Sequence, residues 1–431
     1  MKEVIPVSKR TYRAVAVKSL VLSELESRFR GRRLGIGLDI AKTELKASVI
    51  DMSDDSIVAM WSWKAPDETR SFVGLVVSLS KVAQVEVALE PTGTYGDVLR
   101  ALLVAAGIPV FRVSPKHTID ASELYDGVPS QHDAKCASVV AWLHAQKKSS
   151  PWRETTAAHR DLVAAADIMV LYDKQEQACV GRLEAKVARH FPELSGVLEL
   201  GSATVLALLT QFGDPKSIAA AAAAARELMR RTGGPLLASE KIDRVIELAR
   251  TTTGVPMTPG EREMMKMLAV ETNRNRVNAN AAAKHVEKLG ANIEAVRRVG
   301  DVIGRRTAAV LYAEAGDPGS YAVPAAYVKT LGLNLKIKNS GKPADIGRLK
   351  ITKRGSSVAR VYLYLAVLRL IQSDPCFTAW YKRKADRDGG LKMKAIVALM
   401  RKLATALWHV ARGQSFTPAR LFDTERLGLA A

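Results

Sequence analysis

Three acidic residues stand where chain geometry would bring them together. Asp39 closes the apolar run "LGIGLD", Glu90 closes "VEVALE", and Asp133 opens the helical stretch "DAKCASVVAWL". The first two runs read as buried strands, and carboxylates at the ends of adjacent strands would lie side by side. An acid at the start of a helix can point at the same edge. Carboxylates gathered in this way repel one another unless a cation neutralises them. Two Mg²⁺ ions held by three or four such groups would clamp the attacking and leaving oxygens of an in-line phosphoryl transfer. Singly, each acid is an ordinary helix cap or solvated strand end; joint placement is what points to a metal site.

A second chemistry is suggested by charge. The chain of 431 residues carries 64 Lys and Arg against 44 Asp and Glu, a formal net charge of +20. Such an excess favours polyanionic partners, because each neutralised phosphate releases condensed counterions. The excess is uneven: residues 329–360 hold nine Lys and Arg with Asp345 as the sole acid. Within this stretch "KRGSS" reads as a turn at Gly355, with Ser356 or Ser357 capping the helix "VARVYLYLAVLRL". No apolar run approaches the roughly 18 residues of a membrane helix. Cys136, Cys179 and Cys376 form no CxxC pair, so neither a disulfide framework nor a zinc site is indicated, and a cytoplasmic protein with no membrane partner is expected.

The elements that must position these groups follow from periodicity. Residues 1–33 are basic and weakly patterned, an expected extension. Strands are predicted at 34–40, 44–51, 56–63, 85–90 and 108–113 with helices between them, a mixed α/β sheet over 34–150. Residues 151–200 then turn strongly helical. Leu162, Met169 and Leu183, and Ala166, Val180 and Val187, recur at multiples of seven, interrupted by Asp173 and Glu176. This spacing predicts a long helix, used either as a dimerising coiled-coil arm or packed within its own chain. A helical connector is expected over 201–294, containing "AAAAAAA" (219–225) and a linker at 251–261, followed by a mostly helical domain over 295–431. An internal echo links "GSATVLALLTQFGDP" (201–215) to "GRRTAAVLYAEAGDP" (304–318). The turn before the second copy resembles a helix-hairpin-helix, which either holds a phosphate on backbone amides or merely packs. The basic tail over 373–431 contains Trp380 and Trp408, with phosphate contacts and base stacking as candidate roles.

The blocks "GLDIAKTELKASVID", "ALEPTGTYG" and "HDAKCASVVAWL" resemble the RuvC-like, ribonuclease-H-fold domain of insertion-sequence transposases of the IS-one-ten group. The C-terminal run of hairpin, "GDP", "LGL", serine-glycine and "KRG" is similar to the second domain of the same family. The family's acidic pattern is Asp, Glu, then Asp-x-x-Asp-Ala, so the resemblance implies that Asp39, Glu90 and Asp133 are the first three acids. The fourth falls on Cys136, a poor ligand for a hard cation, which leaves Asp126 as an acid to be borrowed or the site impaired. The resemblance further implies a serine nucleophile that becomes joined to DNA, at the position of Ser340 in "KNSGK". Lys336, Lys338, Lys342, Arg348, Lys353 and Arg354 would supply the positive field around it. It also implies Mg²⁺ as cofactor, donor and target DNA as substrates, a structured bridge RNA as guide, and a homodimer that pairs into a tetramer. Two rival functions remain: a RuvC-like junction endonuclease using metal-activated water, and a degenerate relative that binds nucleic acid without cutting it.

Overall fold

The computed structural model describes residues 12–91, 93–336 and 350–429. The chain divides into two compact units, with the boundary between Glu154 and Thr155.

The first unit is built on a seven-stranded mixed sheet. In chain order its elements are β1 (Val15–Ala16), α1 (Leu22–Phe29), β2 (Arg33–Asp39), β3 (Glu44–Asp51), β4 (Ser56–Lys64), α2 (Thr69–Ser80), β5 (Gln84–Leu89), α3 (Asp97–Ala105), β6 (Val110–Val113), α4 (Pro115–Asp126), α5 (Asp133–Ala145) and β7 (Ser149–Pro151). The strand order is β1-β4-β3-β2-β5-β6-β7. The hairpins β2–β3 and β3–β4 are antiparallel, whereas β2, β5 and β6 run parallel. All five predicted strands are present within a residue or two. The N-terminal segment expected as an extension is in fact part of the domain from Val15 onward: β1 pairs with β4, and Leu25 and Phe29 of α1 enter the core. The spacing of Leu22, Leu25 and Phe29 at offsets of three and seven was the available signal.

Strand alternation sorts the side chains onto two faces. Leu34, Ile36 and Leu38 of β2 and Val85, Val87 and Leu89 of β5 pack with α1, α2 and α3, where Trp63 stacks on Phe72 at 3.9 Å between ring centroids. The opposite face is covered by α5. There Gly37 is indispensable: a Cβ at this position would lie 2.2 Å from the Ala141 amide nitrogen and 2.4 Å from the Ala137 carbonyl oxygen. Gly35, next on the same face, lies against His144. The two glycines therefore let α5 rest directly on the backbone of β2, antiparallel to it, with its N-terminus at the end of the strand that carries Asp39. Ser138 of α5 donates to Ser48 of β3 at 3.0 Å and fixes the helix laterally. Gly37→Ala is expected to lower stability by about 3 kcal/mol, the upper end for overpacking, because backbone rather than a flexible side chain must move. A chemical-denaturation midpoint near that of the native protein would show that α5 can retreat cheaply.

The second unit is helical. Its spine is formed by α6 (Ala157–His190) and α11 (Pro259–Ala291), the most extensive helix pair in the chain. Between them lie α7 (Ala203–Phe212), α8 (Pro215–Ala220), α9 (Ala222–Gly233) and α10 (Ser239–Thr251). After α11 come α12 (Glu294–Ile303), α13 (Arg305–Ala315), α14 (Pro324–Thr330), the short strands β8 (Leu335–Lys336) and β9 (Lys350–Ile351), α15 (Ser357–Ser373), α16 (Pro375–Arg387) and α17 (Lys392–Ala411). The predicted long helix thus packs within its own chain. Leu183 and Val187 at one end join a core built with α7–α10, while Leu162, Ala166 and Met169 at the other end join the core of α12–α17. One of the two interruptions in its heptads is accounted for: Asp173 accepts a 3.0 Å hydrogen bond from the Tyr362 hydroxyl of α15. Because one spine serves both cores, the boundaries expected at 200 and 294 do not separate compact bodies.

Two further expectations change. The alanine run is not one connector; it breaks at Ala221 between α8 and α9. The supposed linker at 251–261 is pinned. Glu193 accepts from the Thr253 amide (2.9 Å) and from the Thr252 (2.7 Å) and Thr253 (3.0 Å) hydroxyls. Burial raises the Glu193 carboxyl, but these donors outweigh it and hold its pKa at about 2. The internal echo is a repeated local structure. Gly213 and Gly316 both take positive φ, Asp214 and Asp317 both cap the next turn through their side chains, and Pro215 and Pro318 follow.

Candidate metal centre and nucleic-acid interface

The ladder between β2 and β5 ends at Leu38–Leu89. Asp39 and Glu90 follow in register at the C-terminal ends of two parallel neighbours, strands spaced by about 4.8 Å. Continuing the alternation, both belong to the α5 face, since Gly35 and Gly37 precede one and Ala88 the other. Asp133 is the first residue of α5, which antiparallel packing delivers to the same edge. His132 caps this helix, its Nδ1 accepting from the Lys135 amide at 3.2 Å.

The four groups share one electrostatic field. Burial, then the charges of Asp133 and Glu90, push the Asp39 carboxyl up to about 6. Burial, then Asp39, Glu90 and Asp133, push the Cys136 thiol up to about 11. Cys136 is therefore a neutral thiol at neutral pH, lying beside three carboxylates. Among the described residues no three His, Cys, Asp or Glu side chains are closed into a finished metal cage. The acids form an open, mutually repelling set whose strain a divalent cation would relieve, and their oxygen donors suit a hard ion.

Asp126 does not belong to this set. It accepts from Lys135 Nζ at 2.7 Å and from the Tyr12 hydroxyl at 2.6 Å, and the Val128 amide donates to it at 3.0 Å. Burial raises its carboxyl, yet these donors outweigh that and hold its pKa at about 2. The acid considered as a replacement ligand is thus committed to a buried ion pair. Lys135 was missed from sequence. Its side chain is 1% exposed and also donates to the Val128 carbonyl at 2.5 Å, fixing the approach to α5 from α4. A lysine inside the apolar run "DAKCASVVAWL" was the available signal, because a buried cation needs a partner.

In the second unit the motifs "LGL" and "KRG" interlock. The Lys353 amide donates to the Gly332 carbonyl at 3.0 Å and the Thr352 amide to the Asn334 carbonyl at 2.9 Å. A Cβ on Gly355 would lie 2.1 Å from the Thr330 carbonyl oxygen, so only glycine permits this contact. Arg360, also unassigned from sequence, ties the two motifs together by donating to the carbonyls of Leu331 (3.3 Å) and Gly355 (2.9 Å). Ser356 caps α15, its hydroxyl accepting from the Ala359 amide at 3.0 Å, a structural role that needs no chemistry. Strands β8 and β9 pair Leu335 with Ile351 and Lys336 with Lys350. Ser340, Lys338, Lys342 and Arg348 lie outside the described residues. Lys336, Lys350, Lys353 and Arg354 are exposed, and none makes a salt bridge among the described residues. Neutralising Lys353 and Arg354 together is expected to flatten the log–log salt dependence of nucleic-acid binding by about 0.7 to 0.9 per lost phosphate contact. An unchanged slope in a salt titration would remove the pair from the backbone-binding face.

A mixed sheet with acids at the ends of two central parallel strands and at the start of the covering helix defines a ribonuclease-H-like nucleic-acid-processing domain. Residues 36–188 match the DEDD transposase domain, and residues 301–382 match the Transposase IS116/IS110/IS902 family. The chain belongs to the IS110 family of insertion-sequence transposases, enzymes of DNA transposition. A similar protein is the "Insertion element IS110 uncharacterized 43.6 kDa protein" of Streptomyces coelicolor, 24% identical over 313 residues, covering 70% of this chain and 75% of that one. The DEDD domain implies use of a divalent metal, and a transposase binds DNA. No helix among the described residues is long and apolar enough to cross a membrane.

Proposed function

We propose that this transposase breaks and rejoins DNA through a covalent bond between Ser340 and a DNA phosphate, with Mg²⁺ held by Asp39, Glu90 and Asp133. The observation that carries the reading is the convergence of those three acids on one sheet edge, where burial first, and then the charges of Asp133 and Glu90, push the Asp39 carboxyl up. The bound cation would supply charge neutralisation for phosphoryl transfer. The chain's own residues do the rest. The Ser340 hydroxyl loses its proton as Oγ attacks phosphorus, and a deoxyribose hydroxyl leaves; the reverse attack by a hydroxyl of a different strand releases the serine. One phosphodiester is thus conserved at each step. Lys336, Lys353 and Arg354, with Lys338, Lys342 and Arg348, bind the backbone and stabilise charge on the phosphoryl oxygens. A structured bridge RNA selects donor and target DNA, and the working species is a homodimer that pairs into a tetramer. The resemblance of the motifs to the family supports these last assignments. The test is to incubate the protein with its element's DNA ends, with and without element-derived RNA, and to look for DNA that stays attached to protein in denaturing gels. Metal-dependent cleavage with no such adduct would instead support a RuvC-like junction endonuclease.

One observation favours a second reading, a binding protein with weakened chemistry: a protonated thiol stands at the fourth acidic position. Cys136→Asp is expected to give equal or greater Mg²⁺-dependent activity, since oxygen replaces sulfur in a hard-ion site. Complete loss of activity with the fold preserved would mean that the cysteine has a task of its own.

A further inference from the structure

A cleft of about 260 Å³ opens between α16, α17 and the chain that follows α17. Its α16 wall is a single helical stripe, since Trp380, Arg383, Lys384 and Arg387 recur at offsets of three, four and seven residues. Opposite stand Phe422 and Lys402. The Lys402 ammonium donates to the Leu421 carbonyl at 2.9 Å and lies 5.7 and 5.4 Å from the ring centroids of Trp380 and Phe422. The acid lining the cleft, Asp423, is already occupied by Arg426, and Asp388 just beyond α16 by Lys384 and Lys394. Arg383, Arg387 and Lys402 make no salt bridge among the described residues. Burial also lowers the Lys402 ammonium pKa from its usual value, as expected for a cation short of counter-charge.

A partly exposed indole flanked by uncompensated cations suits a ligand that is flat at one end and anionic at the other. Base-on-aromatic stacking with Arg and Lys on phosphate has this form. The cleft is smaller than the roughly 300–1,000 Å³ typical of pockets that enclose drug-sized ligands, so it suits one nucleotide rather than a longer segment. A paired base is excluded, because its faces are covered by its neighbours in the duplex.

We infer that this cleft takes a single unpaired nucleotide of a nucleic-acid strand, its base on Trp380 and its phosphate on Arg383 and Arg387. The inference rests on the nucleic-acid binding of the transposase and not on the Ser340 chemistry. It is tested with uncut oligonucleotides carrying one 5-iodouracil, as single-stranded DNA, single-stranded RNA and duplex DNA, irradiated with the full chain. The expected product is a cross-link mapped to Trp380 from a single strand and none from the duplex; the strand that reacts, DNA or RNA, names the source. Trp380→Ala should weaken single-strand binding by about five- to a hundredfold and leave duplex binding unchanged, whereas Trp380→Phe retains most of the affinity. Arg387→Gln, at the open side of the helix, should reduce the single-strand salt slope by about 0.7. Cross-links confined to other residues, or an equal loss on duplex and single strand, would overturn the inference. Because no strand is cut in this assay, absence of a serine adduct elsewhere leaves it standing, and its failure leaves the recombinase reading untouched.

Discussion

Ser340→Ala is expected to remove every covalent protein–DNA adduct and all strand exchange while nucleic-acid binding persists. The variant deletes one oxygen and keeps the surrounding cations, so electrostatic affinity is retained whereas the attacking atom is gone. Where the nucleophile of a serine hydrolase has been removed, the loss is on the order of a million-fold in turnover; an effect of this class would take recombination below detection. Ser340→Cys should leave slow adduct formation, because a thiolate is also nucleophilic. The control is Ser356→Ala. Its hydroxyl caps α15, so its loss should cost about 0.5 to 2 kcal/mol of stability and leave the adduct intact. An adduct that survives in Ser340→Ala but disappears in Ser357→Ala would move the nucleophile to the later serine.

Asp39→Asn is expected to abolish recombination and, unusually, to stabilise the metal-free protein. The carboxylate is held against burial and against Asp133 and Glu90, and its folded pKa of about 6 lies above the ordinary 3.8. Between those two values the folded state binds more protons than the unfolded state, so stability falls as pH rises. The penalty is absent below about pH 4, develops to about pH 6 and is complete above it. Asp39 is only half-buried, so solvent screens these interactions; the neutral amide would recover on the order of 1 kcal/mol at pH 8 and none at pH 4. Denaturation of both proteins in a chelator at the two pH values measures the difference. A variant no more stable than native at pH 8 would mean that neither burial nor the neighbouring acids penalise the Asp39 carboxylate, and the metal assignment would lose its electrostatic support. Glu90→Ala and Asp133→Ala should also abolish recombination with the fold intact.

The contrast between these residues shows what each level of description contributed. Strand runs, their acidic ends and the glycines of "LGIGLD" were legible because alternation and terminal position are local properties. So were the cap at Ser356 and the repeated Gly-Asp-Pro turns. The Arg360–Leu331 tie and the Asp126–Tyr12 bond were not legible, because their partners lie 29 and 114 residues away. Lys135 pairs with Asp126 only nine residues off, but the turn between α4 and α5 that brings them together is a tertiary feature.

The sequence by itself determined that two strands end in carboxylates and that a basic segment follows "LGL", and it pointed to phosphoryl transfer as the chemistry on offer; that the two strands are parallel neighbours came from the fold. The choice between arm and packed helix for 157–190 was decided only by tertiary structure. Heptad spacing specifies an apolar stripe but not what covers it, and here α11 of the same chain does so. The same holds for the acids. Their types were written in the chain, but Asp39 and Glu90 meet only because β2 pairs with β5, and Asp133 adds its charge only because Gly37 lets α5 lie on the backbone of β2.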